Sequence, residues 1–264
     1  MGEKHFIGRI PKMLGKNMLT DEYYSELDSD RFRLKVAKIN DFGSDPTKIL
    51  DEFASSDYNL LLCKIDSKNI GLINKLEDFG FRIKDGQVTY KYEMSRFDKK
   101  LLEYLEDPSV ELRFHKKKDI DQIVKLTEAS FNNYGHYAAD ERLDKNKCRD
   151  VYTDWAYRSC TDKGVADKVF VAEIDGIVAG YLAFKVYKSA NYTYAASVLG
   201  AVSEKFRREE IFRKITVKAL VWCLEENFSW QEHSVLIDNY PVNRSFSKLG
   251  FVPYKSFYTL HCWL

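Results

Sequence analysis

Two stretches hold residue types that could do chemistry. The first reads Asn132-Asn-Tyr-Gly-His-Tyr-Ala-Ala-Asp140 and joins two helical patterns. Aromatic faces suit flat rings, while amides and carboxylates suit hydroxyls and amines. Asn133, Tyr134, His136, Tyr137 and Asp140 are therefore candidate substrate-binding residues. Among them a carboxylate such as Asp140 can pair with a cation, and an imidazole such as His136 can accept a proton. The competing reading is a helix connection whose tyrosines pack inward. The second stretch, Val202 to Lys214, carries Arg207, Arg208, Arg213 and Lys214 between a strand pattern and a helix pattern. A helix start presents unpaired N–H groups and the positive end of its dipole, and arginine suits phosphate oxygens, so this stretch could hold a phosphate. The competing reading is a charged, solvated first turn.

The elements that must position these residues include a unit that occurs twice. Asn239 precedes Gly250-Phe251 at the spacing by which Asn69 precedes Gly80-Phe81. Each copy follows an apolar run and leads into aromatic, alternating sequence. The physical reading is strand, Asn helix cap, amphipathic helix, Gly stop, strand. Upstream, residues 22–40 read as a strand with Phe32, Leu34, Val36 and Ile39 nearly alternating, and Pro46–Ala54 as a short helix. The charged stretch from Arg96 to Ser109 reads as a linker. Beyond it come a strand at Val110–Phe114, a helix at Lys118–Phe131 and a helix over Val151–Ser159. A hairpin turning at Asp175-Gly176, a strand at Thr193–Val202 and a helix over Lys205–Asn227 precede the second copy. This order predicts an α+β fold around a mixed sheet.

Composition narrows the function classes. With 45% hydrophobic and 31% charged residues in 264, the chain suits a soluble packed core. A net charge of +1 offers no nucleic-acid or polybasic membrane surface. No apolar run reaches membrane length, and Met1–Phe6 lacks a signal-peptide core and the Ser or Thr that myristoylation wants. Cys63, Cys148, Cys160, Cys223 and Cys262 are scattered without metal-ligand spacing, so reduced thiols in a cytoplasmic protein and no metal are expected.

The order of elements resembles the GNAT acyltransferase fold, whose enzymes move an acyl group from coenzyme A to an amine. More narrowly, the chain resembles the TDP-fucosamine acetyltransferase branch. His136-Tyr-Ala-Ala-Asp140-Glu-Arg-Leu, Tyr152-Thr-Asp-Trp155-Ala and the terminal Phe257-Tyr258-Thr-Leu-His261-Cys-Trp263-Leu264 carry that likeness. So does a truncated GNAT-like half before a complete one, which implies domains at 1–108 and 109–264. The implied co-substrate is acyl-CoA, acetyl or longer, and the implied acceptor is a nucleotide-linked amino-dideoxy sugar for a surface glycan. By analogy of edge-strand pairing, a homodimer is also implied.

The resemblance assigns Ala201 and Val202 to the pantetheine amides. Arg207, Arg208, Ile211, Phe212, Arg213 and Lys214 fall on the pyrophosphate, and Asn239 beside the pantetheine arm. The family keeps two small residues where Glu210 and Phe212 stand here, so side chains would replace backbone as phosphate ligands. It also keeps a Tyr seven residues after the Asn, to protonate the departing thiolate. That position is Phe246, which can line the acyl pocket but has no proton to give. Tyr240 and Tyr258 are candidate substitutes. No Glu precedes Val202 as base, which leaves water or His136 and a mechanism resting mainly on positioning. Two alternatives stay open: acylation of another small amine, such as an antibiotic or polyamine, and a non-catalytic protein that keeps the fold.

Overall fold

The computed structural model describes residues 21–264 except Arg208. The readings made on Met1–Phe6 and on Arg208 lie outside the described residues.

The chain begins differently from the expected strand. Helix α1 spans Glu26–Phe32 and strand β1 only Val36–Ile39. Asp28, Ser29 and Phe32 are buried at helical spacing, and Arg33 ends the helix in the left-handed conformation (φ 57°). The near-alternation read across this stretch was two elements joined by a turn. Helix α2 (Pro46–Ala54) starts on Asp45, whose side chain accepts from the Lys48 amide. The first copy of the repeated unit follows as β2 (Leu60–Asp66), α3 (Ile70–Phe79) and β3 (Arg82–Glu93). The expected linker is ordered instead, as short 3-10 helices at Met94–Arg96 and Lys99–Leu105 with Leu101 in the core.

The remaining elements are β4 (Glu111–Phe114), α4 (Ile120–Ser130), α5 (Gly135–Ala138) and α6 (Lys145–Thr161). Strands β5 (Lys168–Ile174) and β6 (Ile177–Lys188) form the hairpin. Asp175 and Gly176 both take positive φ at its turn, which matches the twist of the flanking strands. Strand β7 (Thr193–Val202) and helix α7 (Ile211–Glu225) lead to the second copy: β8 (Trp230–Leu236), α8 (Tyr240–Lys248) and β9 (Val252–Trp263).

All nine strands join one mixed sheet in the order β1-β2-β9-β3-β8-β7-β6-β5-β4. The two copies exchange their last strands. β9 pairs with β2 of the first copy, and β3 pairs with β8 of the second, while β9 and β3 pair with each other. Period-two alternation then sorts side chains onto opposite faces. Phe170 and Ala172 pack with α7 and α8, whereas Val169 and Val171 pack with α4 and α6. Helices α2 and α3 cover a third core over β1, β2 and β9.

Candidate active site

Strands β7 and β8 run parallel but pair only from Tyr194↔Trp230 to Ala196↔Glu232. Tyr194 stacks on Trp230 (4.6 Å, 13°) and on Tyr187 (5.1 Å), which clamps the two strands where they meet. Beyond that clamp they part. Ser197–Gly200 on one side and His233–Leu236 on the other face a cavity of about 510 Å³. Val198 is an extra residue in the β6–β7 ladder, a bulge that turns the edge of β7 just where the cleft opens. Among the described residues no strand pairs with these facing edges past Ala196 and Glu232, so an extended amide-bearing ligand can add there.

Helix α7 starts close to this edge because Gly180 leaves room for it. A Cβ on Gly180 would stand 2.9 Å from Ile211 Cγ2. Glu210, at the cap of α7, takes the left-handed conformation (φ 54°) that favours glycine. The loop therefore keeps the backbone of a glycine turn with a carboxylate on it. Among the described residues the first α-helical bond is Lys214 N–H to Glu210 O at 3.0 Å, and the positive end of the helix dipole lies at this turn.

The other end of the cavity is polar and comes largely from the segments β1 to β3. Lys38, Asn40, Lys64, Asp85, Gln87 and Thr259 line it. Lys64 and Asp85 both stand opposite Thr259 of β9, from its two neighbouring strands. Lys64 Nζ donates to Gln87 Oε1 at 2.7 Å, and Gln87 Nε2 donates to Asp85 Oδ2 at 3.5 Å. Asp85 Oδ1 is buried with no hydrogen-bond partner among the described residues. A carboxylate oxygen in that state suits a substrate ammonium.

Helix α5 roofs this end. Gly135 has φ 70°, and a Cβ there would stand 2.5 Å from the Tyr152 hydroxyl, so only glycine allows the close approach. Tyr134, His136 and Tyr137 line the cavity as expected. Burial raises the Tyr134 phenol pKa, against the pull of the Leu236 backbone and the Asn239 side chain beside it. The phenol therefore stays protonated next to the cap of α8. Tyr137 is committed elsewhere, since its hydroxyl donates to Asp28 Oδ1 at 2.8 Å. Burial pushes His136 down to about 3, helped by His261, Lys38 and Lys64, so its imidazole is neutral. Cys63 also lines the cavity, but burial pushes its thiol up to about 12, which leaves no thiolate for an acyl-enzyme.

Asn239, Phe212 and Phe246 line the cleft. Asn239 also caps α8, accepting from the Val242 amide. Phe246 is fully buried against Tyr90, Phe212, His233 and Phe251, so no proton donor occupies its place.

Other expected residues do not meet there. Tyr240 opens α8 and is 66% exposed, so it faces solvent rather than the acyl group. Asn133 is exposed, and Tyr258 packs into the third core. Asp140 is buried and turned from the acceptor end, accepting from His261 Nδ1 (2.7 Å) and Trp263 Nε1 (3.1 Å). Ala201 and Val202 lie past the stretch of β7 that lines the cavity, and Ile211 is buried beneath the start of α7. Three of the cations expected on phosphate are paired: Arg207 with Glu204 at 2.8 Å, Arg213 with Glu210, and Lys214 with Asp107.

Asp85, Gln87, Lys64 and Lys38 were not expected in the site. Their one local signal is Asp85-Gly86, which interrupts the β3 pattern where its register with β9 slips. Only strand pairing shows which cavity they face.

No family model matches the chain. It is 29% identical over 143 residues to an uncharacterized N-acetyltransferase from Archaeoglobus fulgidus, spanning 52% of this chain and 90% of that one. Its fold is similar to that of a functionally unknown conserved protein from Staphylococcus epidermidis (TM-score 0.56, 13% identity, 86% of this chain and 83% of that). It is also similar to a tandem GNAT protein from the clavulanic acid biosynthesis pathway (TM-score 0.58, 15% identity, 82% and 67%). A GCN5-related N-acetyltransferase from Kribbella flavida gives a TM-score of 0.53 at 13% identity, over 81% and 72%. With the parted strands and the cavity between them, these likenesses show that this chain has a GNAT-like fold.

Proposed function

We propose that the chain transfers an acyl group from coenzyme A to a primary amine that enters through the polar end of the cavity. The parting of β7 and β8 over a cavity that continues into Asp85, Gln87 and Lys64 carries this reading. The residues present fit the co-substrate. Two open strand edges match pantetheine amides, and the start of α7 offers amides to the pyrophosphate.

The chain's own groups would then act in sequence. The β7 edge at Val198 and Leu199 donates N–H groups to the thioester oxygen as charge grows there. Asp85 and Gln87 hold the acceptor amine in line. Tyr134, beside Asn239, gives a proton to the departing thiolate and so fills the role that Phe246 cannot.

The finer proposal is that the amine belongs to a nucleotide-linked amino-dideoxy sugar of surface-glycan synthesis. Hydrogen-bonding groups at the polar end and the aromatic side chains Tyr134 and Trp155 on the cavity wall support it. The acyl chain is acetyl or somewhat longer. With this reading go a division at 108/109 into a truncated and a complete GNAT-like half, a cytoplasmic location and a homodimer. Among the described residues, no helix is long and apolar enough to cross a membrane.

A second reading is a protein that keeps the fold without coenzyme A. The pairing of Arg207, Arg213 and Lys214 with carboxylates favours it. Calorimetry with coenzyme A, followed by thiol release over a panel of nucleotide amino sugars and free amines, separates the readings. Binding in the micromolar range with turnover on nucleotide sugars is expected. Absent binding at millimolar coenzyme A selects the non-catalytic reading, and turnover on small free amines alone removes the sugar.

A further inference from the structure

Three side chains from two distant segments form an unbroken hydrogen-bonded chain that ends at the cavity. Asp140 Oδ2 lies 2.7 Å from His261 Nδ1, and His261 Nε2 lies 2.8 Å from His136 Nδ1. Asp140 and His261 are buried, and Trp263 Nε1 and Lys84 (3.7 Å) also face the carboxylate. His136 lines the cavity. We propose that Asp140, His261 and His136 are a proton relay that takes the proton released by the acceptor amine and holds its charge on His261. The proposal rests on the acyl-transfer reading above.

The carboxylate sets both tautomers. It can only accept, so His261 carries its proton on Nδ1 and presents a lone pair at Nε2. His136 must then donate from Nδ1, which leaves its Nε2 lone pair with no partner among the described residues. In the step, an amine N–H bond breaks and His136 Nε2–H forms. His136 Nδ1–H breaks and His261 Nε2–H forms, while His261 Nδ1–H stays on Asp140. His136 ends neutral as the other tautomer, and the positive charge ends on His261 against the carboxylate. As product leaves, the proton returns by the same path to solvent.

Two imidazoles are needed because the first is a poor place for charge. His136 is buried beside Lys38 of β1, Lys64 of β2 and the Tyr137 ring, with Asp28 of α1 as an acidic neighbour. His261 faces Asp140, with Lys84 and Asp85 from β3 further off. Burial opposes charge at both rings, and at His261 Asp140 opposes that burial directly. His136 is therefore the group that touches substrate, and His261 and Asp140 are positioning residues.

The test is steady-state turnover of the full chain and of His136→Gln, His261→Gln and Asp140→Asn, against pH, on an accepted amine. Each variant is expected to lower kcat about 30-fold or more with KM for acyl-CoA unchanged. In Asp140→Asn the acidic limb of the pH profile moves to lower pH, because the charge that favours the His261 cation is gone. Imidazole added to His136→Gly restores turnover. A structural network would lower thermal stability without moving the limb or giving rescue. Wild-type kcat in His261→Gln, or an unmoved limb in folded Asp140→Asn, overturns the relay and leaves acyl transfer standing. No turnover of the unsubstituted chain on any amine overturns the activity itself, and the relay with it.

Discussion

Thr259, five positions before Leu264, is paired with Asp85 of the first copy. That contact exists because β9 lies between β2 and β3 rather than beside β8. The acceptor end of the cavity is thus built from strands that belong to different copies in sequence.

The exchange predicts that the second half does not stand alone. Residues 109–264 expressed by themselves leave both edges of β9 and one edge of β8 unpaired, an invitation to aggregate. We expect insoluble protein, and a soluble complex when residues 1–108 are co-expressed. A monomeric, cooperatively melting 109–264 would contradict the pairing.

Glu210 holds a conformation that costs a non-glycine residue roughly 1–2 kcal/mol, and its carboxylate occupies Arg213. Glu210→Gly removes the strain and the negative charge and releases the arginine. Coenzyme A should bind about three- to tenfold more tightly by calorimetry, a gain of ~0.6–1.4 kcal/mol. Unchanged affinity would remove the start of α7 from the site.

Tyr134→Phe deletes the phenol beside Asn239. We expect kcat to fall about 10- to 100-fold with KM for acyl-CoA little changed, since the proton is needed only as the thiolate leaves. The loss should shrink with a more acidic leaving thiol, which needs no proton. Equal losses with every thiol would point to a packing effect instead.

Asp85→Asn keeps the shape of the side chain and removes its charge. The KM of the acceptor amine should rise about tenfold, ~1.4 kcal/mol, while coenzyme A affinity in calorimetry stays put.

His233 sits in the cavity wall against Phe246, with its Nε2 unpartnered among the described residues, and burial pushes it down to about 3. The folded chain keeps it neutral, while the unfolded chain takes a proton below about pH 6.5. Its contribution is therefore complete above that pH and is lost as pH falls from 6.5 towards 3, by up to ~1.4 kcal/mol per unit. His136 adds a loss of the same sign. With His261 also lowered by burial, His233→Leu should flatten the decline in melting temperature between pH 6.5 and 5 by about a third.

By itself the sequence determined what local chemistry determines. The Asn caps at Asn69 and Asn239, the helix over Pro46–Ala54 and the Asp175-Gly176 hairpin follow from side-chain oxygens, proline and positive φ within a few residues. The repeated unit was legible for the same reason and the mixed sheet from the order of elements, whereas Asn239, Phe212 and Phe246, which line the cleft, were named by the family resemblance and not by local chemistry. Near Phe32, two short elements mimicked one alternating strand, because apolar spacing alone cannot mark a turn at Arg33. Tertiary structure alone decided which strand lies next to which. Period two assigns a side chain to a face but names no neighbour, so the exchange of β3 and β9, and with it Asp85 and Lys64 in the site, had no signature along the chain beyond the break at Asp85-Gly86. It also turned Asp140 from a surface ligand into the buried partner of His261, a residue 121 positions away. Hydrogen bonds of that separation are set by packing, and the spacing of residues along a chain carries no record of them.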